Sequence, residues 1–224
     1  MANLIRSSKS GNDWTFNDLT SYQINLQQQD ALHLLDLAMK IPTKGETAVH
    51  DFTVELFKCL GYVYRIRVAR TGVDIPFNIC GEVRDTKTDV CLVDRLQNDI
   101  ILLVQEDKRP ENTKSTDAQA QLVAEAVADF TQNNVNRDAQ GLPPLAEKVI
   151  PGIVMVGTMP TFFKIPVTQT LETHIAFGTY PPDETVVTYC YPPVPRPHSE
   201  GMKPLDNRRE VLKCYEAFKA IVGI

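Results

Sequence analysis

Apolar residues recur at helical spacing on either side of a central block of short apolar runs. Val49, Thr53, Leu56, Phe57 and Leu60 follow one another at helical steps and Gly61 closes the series, which predicts a helix over 47–60. Leu32, Leu35, Leu37 and Met39 predict an earlier helix over 29–39 that ends before Pro42. Trp14, Phe16, Leu19, Tyr22, Ile24 and Leu26 form an apolar segment whose spacing assigns no element type, and residues 1–13 read as an arm. From 62 to 109 the helical period is lost. Strands are expected at 62–69, 75–83, 88–93 and 100–105, the last apolar on both faces and therefore central in a sheet.

Beyond a polar loop at 109–116, Asp117 is placed to cap a helix from Ala118 to Asn133 whose core face is Leu122, Val123, Ala126, Val127 and Phe130. A loop at 134–148 follows, then strands at 149–156, 161–167 and 184–191. Pro192-Pro193-Val194-Pro195-Arg196-Pro197 reads as a stiff extended connector, running to 205. Asp206 is placed to cap a last helix over 207–221, with Val211, Leu212, Tyr215 and Phe218 on one face. Helices interleaved with strands predict an α/β domain, a mixed sheet with helices on both faces, spanning 1–224 as a single unit.

Composition narrows the class. The 224 residues are 43% hydrophobic and 23% charged, which suits a globular domain with a sizeable core. The net charge of −5 gives no general attraction to nucleic acid, so any phosphate-binding surface must be local. Five cysteines, Cys59, Cys80, Cys91, Cys190 and Cys214, show no metal-ligand spacing and read as buried free thiols of a reducing compartment. The N-terminus lacks an apolar signal core and no run approaches the ~18 residues of a membrane span. The expectation is an intracellular protein of cytoplasm or nucleus with no membrane partner. Gly-x-Ser-x-Gly, a phosphate-binding loop and a dinucleotide glycine motif are all absent.

The candidate chemistry lies in the central strands. Glu106-Asp107-Lys108 ends the run Ile100-Ile101-Leu102-Leu103-Val104, and Asp89 lies in the preceding strand. Centring the turn between Gln97 and Asn98 sets Asp89 opposite Glu106, and alternation puts Lys108 on the same face as Glu106. Two carboxylates beside an ammonium suit a divalent metal and an attacking water, and Mg2+ or Mn2+ prefers such oxygen ligands. Asp89 and Glu106 would be ligands, with the Asp107 carbonyl as a third. Lys108 would orient the water or stabilise charge on the phosphate. Arg65 and Arg67, read as sharing a strand face, and Arg109 are candidate phosphate contacts; a charged edge strand is the competing reading for the first two.

This pattern of a helix acid, Asp, Glu-x-Lys and a following helix glutamine resembles the PD-(D/E)XK nuclease superfamily over residues 46–156. The resemblance implies a restriction-endonuclease-like αβββαβ core, about 46–167 here, with N- and C-terminal additions. It implies a metal-dependent nuclease acting on nucleic acid, DNA before RNA, with a homodimer allowed. It assigns Glu46, which extends the buried face of its helix while Glu55 points away, as the helix acid and a metal ligand. Gln119, facing the core, and Gln121, on the more solvated side, are both candidates for the helix glutamine. Thr88 stands where the superfamily name has proline. The segments Leu103-Val104-Gln105-Glu106-Asp107-Lys108-Arg109 and Gly201-Met202-Lys203-Pro204-Leu205-Asp206-Asn207-Arg208-Arg209 also resemble proteins of mushroom-forming fungi, which implies no activity.

Structural readings compete with each of these. Asp89 and Lys108 would also serve as a strand-end ion pair, and Glu46 as a first-turn charge on the helix dipole. His50, one turn after Glu46, is read as a helix-surface histidine able to join the site. A catalytically inactive binding or scaffold protein on the same fold is the alternative function.

Overall fold

The computed structural model describes residues 46–106 and 116–224. The segments at 1–13, 14–26 and 29–39, together with Asp107, Lys108 and Arg109, lie outside the described residues. Helix α1 spans Glu46–Cys59. Strands β1 (Arg67–Ile79), β2 (Glu82–Asp94) and β3 (Asp99–Glu106) follow, then helix α2 (Thr116–Ala139). Next come β4 (Glu147–Val156), β5 (Met159–Thr168), α3 (Gln169–Phe177), β6 (Thr188–Cys190), α4 (Pro197–Glu200) and α5 (Leu205–Val222).

The six strands form one sheet in sequence order. Only β3 and β4 pair in parallel, with α2 as the crossover that a parallel pair requires. The other neighbours are antiparallel. The sheet is covered on both faces, as its double-sided apolar runs demand. Val90, Leu92, Leu102 and Val104 join Val49, Phe52, Leu56 and Phe57 of α1 and Val211, Tyr215 and Phe218 of α5. Cys91, Val93 and Leu103 join Leu122, Ala126, Val127 and Phe130 of α2 on the opposite face. Helix α2 lies close because β4 carries Gly152; a Cβ there would meet Leu122 Cδ2 at 2.8 Å. Among the described residues no helix is long and apolar enough to cross a membrane.

Several boundaries differ from expectation. The strands expected at 62–69 and 75–83 are replaced by one long strand, β1, and Asp85-Thr86-Lys87, expected at a turn, lies within β2. The hairpin turns instead at Cys80 (φ 52°) and Gly81 (φ 79°). Two successive positive φ values are what a two-residue hairpin turn needs. A cysteine in the first place hides the signal.

Helix α2 starts at Thr116, so Asp117 lies inside it rather than capping it, and it continues to Ala139, into the loop expected at 134–148. Helix α3 was not expected. Thr168 caps it by accepting the Leu171 N–H at 3.1 Å, and Gly178 ends it at φ 66°. The strand expected at 184–191 shrinks to Thr188–Cys190. The connector holds the short helix α4, with Pro197 in its first turn, and α5 begins at Leu205 with Pro204 before it, so Asp206 is not its cap.

Candidate metal site at the end of the central strands

The β2–β3 hairpin does not take the expected register. A shift between Leu92 and Val93 leaves Val90 opposite Val104, which, if continued, would face Asp89 with Gln105 rather than Glu106. Asp89 meets Glu106 by a different route. The β1–β2 ladder passes from Thr71–Val90 to Val73–Thr88, stepping over Gly72 and Asp89, and Gly72 sits at φ 61°. Alternation breaks here. Val90 packs on the α1 face, and Asp89 reaches His50 of α1 as well.

Side chains of β2 then replace its backbone along the end of β3. Asp89 Oδ2 accepts the Glu106 backbone N–H at 2.7 Å. The Thr88 hydroxyl donates toward the carbonyls of Val90 (3.0 Å) and Val104 (3.3 Å). The Val104 carbonyl and the Glu106 N–H at the buried end of β3 thus keep partners where pairing with β2 stops.

His50 completes the cluster. Its Nε2 lies 3.5 Å from Asp89 Oδ1 and 3.2 Å from Glu106 Oε2. One atom from each of the three side chains lies within 4.8 Å of the others. The side chains of His50, Asp89 and Glu106 are 19%, 15% and 6% exposed. His50 Nε2 and Glu106 Oε2 are buried yet complete no hydrogen bond, although they lie within ion-pair distance of each other. The Asp89 carboxylate, and then that of Glu106, hold the His50 imidazole up at about 9 against the opposing effect of burial.

A second acid lies behind the site. Glu125 of α2 is 1% exposed, and burial first, then the Asp89 charge, push its carboxyl up to about 9, with the Thr88 hydroxyl the partner that opposes the shift. It is therefore a neutral acid at neutral pH. Four residues on, Asp129 is buried and held up at about 7, chiefly by burial; it accepts from Asn133 Nδ2 at 3.2 Å.

The expected residues divide accordingly. Asp89 and Glu106 are brought together, with His50 beside them. Glu46 opens α1 one turn before His50, and its side chain lies outside the described residues, as does Lys108. Glu55 pairs with Lys58 on the surface, away from the site. Gln119 is half-buried in the first turns of α2. Gln121 is exposed and accepts from Gln105 Nε2 at 3.3 Å, so it acts on the sheet face opposite His50.

Arg65 and Arg67 do not share a strand face. Arg65 sits at φ 53° in the turn before β1, with its guanidinium 5.0 Å from the Tyr64 ring centroid. Arg67 pairs with Asp94, the last residue of β2, about 17 Å from Asp89 at strand rise. Arg109 lies outside the described residues. The signal for His50 was its place one helical turn after Glu46, which sequence spacing leaves equally open to a surface histidine. No family model matches the chain, and no curated protein or solved structure matches it at a significant level.

Proposed function

We propose that this protein is a metal-dependent nuclease of the PD-(D/E)XK type, hydrolysing phosphodiester bonds of nucleic acid, with His50, Asp89 and Glu106 as its metal ligands. The observation that carries the reading is the convergence of those three side chains, two of them with buried polar atoms that complete no hydrogen bond. The element order α1–β1–β2–β3–α2–β4 supports it.

The donor set fits a divalent cation. Two carboxylates supply the charge, and an imidazole adds a nitrogen that suits Mn2+ better than Mg2+. When bound, the metal would lower the pKa of a water and take up charge on the phosphate. The chain's own residues do the rest. The Glu106 N–H fixes one Asp89 oxygen while the other faces His50. The apolar face of Val90 and Val104 beneath them excludes water from one side. Lys108, two positions beyond Glu106, would orient the attacking water or neutralise the phosphate.

The inactive binding protein remains the second reading on a specific observation: Arg65 and Arg67 lie by Asp94, the last residue of β2, rather than beside the site. Cleavage assays on single-stranded, duplex and branched DNA and on RNA, with Mg2+ or Mn2+, separate the two. Activity on at least one substrate is expected. Lys108→Ala should remove most of it while metal binding persists, because loss of a charge-stabilising group costs ~2.7–4 kcal/mol of barrier. No metal binding and no cleavage across the panel would leave the binding protein standing.

A further inference from the structure

Three of the five cysteines, Cys59, Cys80 and Cys190, are exposed rather than buried, and Cys214 is half-buried. Two of the five face the same cleft. Cys190 ends β6 and pairs with Phe162 of β5, which places both side chains on one face of the sheet. On that face the Phe162 ring centroid lies 5.0 Å from that of Tyr215 and 4.9 Å from that of Phe218, both on α5. Cys214 directly precedes Tyr215 and packs against the same core cluster. Cys190 and Cys214 therefore both line one cleft of about 430 Å³ whose walls include Phe162, Phe218 and Ile221. Charge on Cys190 is among the causes, after burial, that raise the Cys214 thiol. The other cysteines stand elsewhere. Cys59 ends α1, Cys80 is at the tip of the β1–β2 hairpin, and Cys91 is buried on the α2 face.

We propose that Cys190 and Cys214 are a reversible dithiol pair, oxidised by a hydroperoxide to a disulfide that ties β6 to α5. The proposal is independent of the metal site. Cys190 is the attacking sulfur because it is exposed, and the half-buried Cys214 resolves. The Cys190 thiolate attacks the terminal oxygen of the hydroperoxide. The O–O bond breaks, the alcohol or water leaves with a proton, and Cys190 becomes a sulfenic acid. The Cys214 sulfur then attacks the Cys190 sulfur. The S–S bond forms, the S–O bond breaks, and water leaves carrying the thiol proton. In total two thiols are oxidised by two electrons and one hydroperoxide is reduced to an alcohol and water. β6 suits this approach. It is only three residues long, is exposed throughout and, among the described residues, pairs with β5 alone.

The test treats the full chain with hydrogen peroxide, alkylates the remaining thiols and maps the products by mass spectrometry. The expected product has lost two hydrogens, yields a linked Cys190–Cys214 peptide, and reverts with dithiothreitol. Its Tm should rise by roughly 5–10 °C, because the bridge closes a loop in the unfolded chain. Cys214→Ser should leave Cys190 as a sulfenic acid trapped by dimedone, and Cys190→Ser should abolish the link. Should either variant fail to fold, the wild-type peptide map decides alone. Overturning results are a Cys190 sulfinic acid with Cys214 still alkylated, a disulfide joining two chains through Cys59 or Cys80, or no reaction at either thiol.

Discussion

At the residue scale the site depends on three side chains whose polar atoms share one small volume, and each should respond differently to loss. In the proposed metal site His50 would add the nitrogen donor, so His50→Ala should lower Mn2+ affinity on the order of tenfold or more and Mg2+ affinity less. Glu106→Gln removes a charged ligand and should weaken both ions. Titration calorimetry with each metal reads the contrast, and equal loss of the two ions on removing His50 would argue against a nitrogen ligand. Glu125 offers a test that needs no metal. Its folded carboxyl stays protonated up to about 9, whereas in the unfolded chain it titrates near its ordinary value of 4.5. Between those values the folded protein holds the extra proton, so stability falls as pH rises. Glu125→Gln keeps the neutral shape and removes that slope. Urea melts at pH 5 and pH 8 should show the variant gaining on wild type as pH rises, by at most about 1.4 kcal/mol per pH unit.

At the scale of elements, the site is made by a defect in a strand pair. Gly72 takes a positive φ opposite Asp89, the β1–β2 ladder steps over both, and the Asp89 carboxylate turns to the α1 face. A Cβ on Gly72 would meet only the flexible Lys87 Cε at 3.4 Å, so the cost of Gly72→Ala comes from the backbone. That cost is about 1–2 kcal/mol for a residue with a Cβ in this region. Gly81→Ala at φ 79°, with nothing within 4 Å of its Cβ, carries a similar penalty at the hairpin tip. Chemical denaturation should show comparable losses for the two. Only Gly72→Ala should also weaken metal binding, and equal metal affinity in both variants would remove the link between kink and site.

For the molecule as a whole, the C-terminal helix belongs to the central core. Tyr62, just after α1, is fully buried, stacks on Phe57 with centroids 5.0 Å apart, and donates its hydroxyl to the Tyr215 carbonyl at 2.6 Å. That bond joins residues 153 positions apart. Tyr62→Phe keeps the ring and should cost about 1 kcal/mol in urea melts, the net value of one buried hydrogen bond. No loss of stability would mean that ring packing alone holds α5 in place.

What was legible in the sequence follows from local physics. The helical period of Val49, Thr53, Leu56 and Phe57 places α1, and the double-sided apolar run ending at Glu106 marks a central strand, because burial selects those residues position by position. The pairing of Asp89 with Glu106 was also expected, but through a register that the chain does not adopt. A shift at Leu92/Val93 and a kink at Gly72 and Asp89 offset each other, and both depend on how β1, β2 and β3 settle together. Helix α3 and the Cys80-Gly81 turn escaped notice because one is short and the other replaces a typical turn residue with cysteine. The choice of His50 as a member of the cluster over a surface histidine, Glu125 as a neutral acid, and the shared cleft of Cys190 and Cys214 were decided by tertiary structure. Each depends on groups far apart in sequence brought together by packing, and on the loss of water that shifts their protonation, which no local pattern of residues encodes.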